Sequence, residues 1–146
     1  MTTVIVIEES VNIKGRLAAK RVSEAVQQQL ASSLHPRFRS ISDLLLNDHF
    51  ALGYIYGFTQ QANRHMDEQY DDHAGEYYVE GLFADLLDKP WTARSYVTLS
   101  EFERKNTTFD KGYRVGLSDL NDWLLSCGTR FPMGLAEHLH SISCKQ

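Results

Sequence analysis

The chain has 146 residues, 42% of them hydrophobic and 23% charged, with a formal net charge of −4. That length predicts one helical domain spanning 1–146, able to bury roughly 70% of its unfolded surface without a metal or disulfide. The composition excludes disorder, the acidic sign argues against nucleic acid, and no apolar run reaches the ~20 residues of a bilayer span.

Three prolines and nine glycines leave few breaks, which favours long helices. Cys127 and Cys144 are too few for a disulfide framework, and Met1 to Glu8 carries no basic stretch of the kind that opens a signal peptide, so a cytoplasmic location is expected. Val4 to Ile7 is an unbroken β-branched run, strand-like because such side chains are stiff at χ1. Ala18, Val22, Val26, Leu30 and Leu34 follow at four-residue steps, the buried stripe of a first helix that ends at His35-Pro36.

Ser40-Ile-Ser-Asp43 has the spacing of a capping box and predicts a second helix from about Ile41 to about His65. A third, from about Asp72 to Leu87, carries apolar residues around most of its circumference and reads as the central helix. Arg94 to Leu99 is the other strand-like stretch, a partner for Val4–Ile7. Thr98-Leu-Ser-Glu101 repeats the capping-box spacing and predicts the start of a short helix. A fourth long helix runs from about Thr108 to Cys127, closed by Gly128, and a short last helix follows from Gly134. The fold class expected is mainly α: a compact bundle of four or five helices, with one short strand pair.

One internal echo stands out. Phe50-x-x-Gly53-Tyr54-x-x-Gly57-Phe58-Thr59 recurs without gaps as Phe109-x-x-Gly112-Tyr113-x-x-Gly116-Leu117-Ser118. Each helical glycine costs about 0.5–1 kcal/mol relative to alanine, so a compensating contact is required. Glycines four apart share one helical face and admit another backbone, which predicts close crossing of the second and fourth helices at Gly53, Gly57, Gly112 and Gly116. Neither stretch has the Gly-x-Gly-x-x-Gly pattern of a phosphate cradle.

Chemistry-bearing residues concentrate at His65 to His73. If helical, His65, Glu68 and Asp72 share a face, and with His73 they offer two imidazoles and two carboxylates, donors that suit zinc, manganese or iron. The pattern lacks His-Glu-x-x-His, and the chain's one Glu-x-x-His pair, Glu137 and His140, is remote in sequence. No nucleophile elbow is present, so no cofactor and no catalytic residue is assigned.

Charge is unevenly laid out. Residues 10–42 carry Lys14, Arg16, Lys20, Arg21, Arg37 and Arg39 against Glu24 alone, a formal +5, whereas residues 43–88 carry Arg64 against ten carboxylates, a formal −9. Arg16, Lys20, Arg21, Arg37 and Arg39 therefore form a basic contact surface. It lacks the aromatic interleaving of a nucleic-acid binder and is better matched to an acidic protein surface, on another protein or on a second copy in a homodimer. The expected function is non-enzymatic binding or regulation through protein contacts, with a metal-dependent enzyme or sensor, or a nucleic-acid binder, as the alternatives.

Overall fold

The computed structural model describes residues 21–33, 40–66, 72–87, 89–126 and 128–144. Among the described residues seven α-helices follow in chain order: α1 (Val22–Ser33), α2 (Ile41–Asn47), α3 (His49–Met66), α4 (Asp72–Leu86), α5 (Ala93–Phe102), α6 (Thr107–Leu125) and α7 (Gly134–Cys144). Single 3-10 turns at Pro90–Thr92 and Glu103–Lys105 flank α5. The described residues contain no strand, and no helix among them is long and apolar enough to cross a membrane.

Two corrections account for the higher helix count. The expected second helix is two, because Asp48 breaks it in an extended conformation (φ −126°, ψ 102°). Asp48 ends α2 by donating its N–H to the Leu44 carbonyl at 2.8 Å, and opens α3 by accepting from the Ala51 amide at 3.0 Å. Ser40 caps α2 through its hydroxyl oxygen, which accepts from the Asp43 amide at 3.1 Å.

The second correction removes the strand pair. Arg94–Leu99 lies within α5, and its buried residues Ala93, Tyr96, Val97 and Ser100 recur at helical, not alternating, intervals. Thr98 starts no helix; it sits inside α5 and donates its hydroxyl to the Arg94 carbonyl at 3.0 Å. Val4–Ile7, the proposed partner, lies outside the described residues.

The centre of the core is α3, not α4. Every residue from 51 to 60 is buried, whereas α4 leaves Gly81 and Asp85 in solvent and buries Val79, Leu82, Phe83 and Leu86. A helix buried on all sides must be wrapped, and α3 meets α2, α4, α5, α6, α7 and α1 in turn.

Its closest neighbour is α6. A methyl group placed on Gly53 would overlap the Phe109 carbonyl, and one on Gly112 would overlap the Phe50 carbonyl. Likewise Gly57 faces the Tyr113 carbonyl while Gly116 faces that of Tyr54. Contacts therefore advance in the same direction along both chains, so α3 and α6 run parallel, and their reciprocity is that of a local two-fold axis. The relation reaches beyond the shared motif. The Tyr54 hydroxyl donates to Asp119 of α6 at 2.7 Å, and the Tyr113 hydroxyl donates to Gln60 of α3, at the matching offset. Aromatic rings close both flanks: Tyr54 on Phe58, Phe58 on Trp123, and Tyr56 against Phe109 and Tyr113.

Candidate functional site

The most distinctive surface is built where α6 ends and α7 begins. After Leu125 the chain turns through a loop fixed by local bonds. Gly128 takes a positive φ of 83°, open to glycine at no steric cost, and its N–H donates to the Trp123 carbonyl at 2.9 Å. The Ser126 hydroxyl oxygen accepts from the Arg130 amide at 2.9 Å, and the Thr129 hydroxyl donates to the Ser126 carbonyl at 2.7 Å. Phe131 then sets its ring edge-on to the buried Trp123, with centroids 6.5 Å apart.

The start of α7 is anchored from below. Gly134 donates its amide to Asp119 Oδ2 at 2.8 Å, and the amides of Leu135 and Ala136 both donate to Gln29 Oε1 at 3.0 Å. These three first-turn N–H groups would otherwise lack acceptors, and the Asp119 carboxylate also suits the positive end of the helix. Gln29 Nε2 donates to the Tyr54 hydroxyl at 3.1 Å, which closes a buried network joining α1, α3, α6 and α7. Burial, then the adjacent Asp119 charge, pushes the Tyr54 phenol far above its ordinary pKa, so it stays a neutral donor.

On this rigid base Leu125 is 83% exposed, Met133 47% and Phe131 37%. Two depressions of about 400 and 340 Å³ adjoin there, sharing Asp122 and Arg130. Asp119, Asp122 and Glu137 line them against one cation, Arg130. The result is an apolar surface with an acidic rim. Trp91, in the turn before α5, and Phe102, the last residue of α5, are also exposed.

A second polar centre joins α3 to α7. His138 Nε2 lies 2.8 Å and 3.1 Å from the two oxygens of Asp48, and its ring stacks on Phe50 with centroids 4.1 Å apart. Burial pushes the Asp48 pKa up, but the His138 hydrogen bond, the Ala51 amide, the His138 charge and the Phe50 amide together hold it below 3.8. A carboxylate with a depressed pKa stabilises the fold fully above its unfolded value of about 3.9 and loses that contribution as pH falls through its folded value. Asp48→Asn should therefore lower stability at neutral pH, and the difference should shrink as pH falls through the folded-state value of Asp48. Urea melts of both proteins from pH 7 to pH 3 check this; a gap that persists unchanged at pH 3 contradicts it.

The residues singled out in the sequence fare differently. Gly53, Gly57, Gly112 and Gly116 lie together at the α3–α6 crossing. Of the basic group, Arg21 is described and exposed, while Arg16, Lys20, Arg37 and Arg39 lie outside the described residues. The side chains of His65, Glu68, Asp72 and His73 lie outside them too, so the proposed metal cluster has no described geometry. The surface around Leu125, Phe131 and Met133 escaped sequence reasoning because apolar residues near a helix end read as core. The available signal was the polar break Ser-Cys-Gly-Thr-Arg at 126–130, after which Phe131 and Met133 no longer continue a helical stripe.

No family model matches the chain, and neither a curated protein nor a solved structure matches it.

Proposed function

We propose that this is a small cytosolic, non-enzymatic binding or regulatory protein that works by docking a basic, apolar segment of another protein. The observation that carries this reading is the exposed group Leu125, Phe131 and Met133, set over two adjoining depressions with acidic rims. Exposed apolar surface with a polar rim is a common mark of a protein contact site. The loop's internal bonds support the reading further, because a surface held rigid before binding loses less entropy on association. Asp119, Asp122 and Glu137 favour lysine or arginine beside the apolar anchor and should make association faster at low salt.

The test compares the wild-type chain with a Leu125→Asp, Met133→Asp double variant of equal melting temperature. Affinity capture from the native source, followed by titration of the protein captured, should show at least about thirtyfold weaker binding by the variant. Sedimentation of each chain alone covers the homodimer: self-association lost in the variant would make the partner a second copy. A partner bound equally by both proteins, or no partner and no self-association, would overturn the proposal.

A further inference from the structure

Leu125, Phe131 and Met133 differ in one chemical respect: of the three, Met133 alone carries sulfur. A thioether is apolar and polarisable as a contact group, and it is also the one of these side chains that a peroxide oxidises under mild conditions. Accessibility decides whether that chemistry occurs in a folded chain. Met133 is 47% exposed and lines the depression of about 340 Å³ with Val115, Phe131 and Pro132. The side chains of Met1 and Met66 lie outside the described residues.

The backbone under Met133 is fixed on both sides. Its carbonyl accepts the Glu137 amide at 2.8 Å, and the next amide, that of Gly134, donates to Asp119 at 2.8 Å. A methyl group on Gly134 would press on the side chains of Val115, Asp119 and Tyr54, so the chain has little room to shift there. A change at the Met133 sulfur therefore alters what the surface presents and leaves the fold beneath it in place.

We propose that Met133 is a site of reversible oxidation, and that its conversion to the sulfoxide by hydrogen peroxide switches the docking surface off. A sulfur lone pair attacks one peroxide oxygen, the O–O bond breaks, and the departing oxygen takes the proton and leaves as water. Sulfur is oxidised by two electrons and the peroxide is reduced by two. Two thiols of a sulfoxide reductase reverse the step, leaving the thioether, a disulfide and water. The product sets a strongly dipolar S=O where an apolar anchor stood, and burying it against a partner's apolar side chain costs the desolvation of an unpaired acceptor. Among the described lining residues the rim supplies mostly further acceptors, the carboxylates of Asp119, Asp122 and Glu137. The switch rests on the docking role proposed for this surface and adds its regulation.

The probe is a short peptide selected from a random display library on the reduced full chain. It is retained only where the Leu125→Asp, Met133→Asp double variant fails to bind it. The full chain is then treated with hydrogen peroxide, quenched, and incubated with dithiothreitol, which returns reversibly oxidised cysteine thiols but not a methionine sulfoxide. Mass spectrometry of the digested protein should find an added oxygen at Met133, formed at a rate within about tenfold of that for free methionine. Fluorescence anisotropy should show the peptide bound about tenfold or more weakly, as expected for burying an unpaired polar group, with Tm unchanged. Methionine sulfoxide reductase should restore the binding. In Met133→Leu the same treatment should leave that variant's own starting affinity unaltered. Met133 left unoxidised, affinity kept after oxidation, or an equal loss in Met133→Leu would overturn the switch while the docking role stands. Failure to select any such peptide would overturn the docking role, and the switch with it.

Discussion

Replacing Gly53 or Gly112 with alanine is expected to destabilise the protein by about 3 kcal/mol or more, although alanine is the better helix former. The added methyl would overlap a carbonyl of the opposing helix, Phe109 for Gly53 and Phe50 for Gly112. A backbone carbonyl cannot rotate away as a side chain can, so one helix must move, and the packing of Tyr54, Phe58 and Phe109 moves with it. The double variant should not fold, because the combined cost approaches a typical domain stability of about 5–15 kcal/mol. Gly57→Ala and Gly116→Ala meet the Tyr113 and Tyr54 carbonyls and should behave alike. Gly81→Ala is the contrast. It stands in α4 with nothing within 4 Å of the added methyl, and it should raise stability by about 1 kcal/mol. Chemical denaturation of the five single variants checks both signs. Alanine tolerated at Gly53 and Gly112 would show that α3 and α6 are not in backbone contact.

Gln29→Ala should be nearly as costly, for a reason invisible in side-chain size. Gln29 is 2% exposed, and its Oε1 is the acceptor for the Leu135 and Ala136 amides. Its loss leaves two buried donors unpaired, at about 1–3 kcal/mol each, and removes the amide that donates to Tyr54. A total near 3 kcal/mol corresponds to a fall in Tm of about 10 °C for a chain of this length. Hydrogen exchange should quicken first at Leu135 and Ala136, because the first turn of α7 loses its cap. Gln29→Glu keeps the acceptor but sets a second carboxylate beside Asp119 and loses the donor to Tyr54, so it should fall between the two. A Gln29→Ala variant with unchanged Tm and unchanged exchange would mean that water replaces the cap without cost.

Local chemistry by itself determined the helical class, the Ser40 cap and the starts and ends of α6 and α7 to within a few residues. Those features rest on neighbours in sequence: a hydroxyl three residues before an amide, apolar residues at helical steps, a glycine past the last turn. The repeated Phe-x-x-Gly-Tyr-x-x-Gly pattern also marked which helix faces admit another backbone. The tertiary structure decided what depends on distant partners. Arg94 to Leu99 looks strand-like by side chain, yet it is a helix, because Ala93, Tyr96, Val97 and Ser100 bury one common face. Asp48 reads as one polar residue in a long helix, and it becomes a break because the Ala51 amide and His138, 90 positions away, both bind its carboxylate. The parallel direction of α3 and α6 was equally hidden, since a repeat fixes what is equivalent but not how equivalents meet. Which side of that crossing α1 and α7 cover follows from where those helices pack, a matter of long-range burial on which no local signal bears.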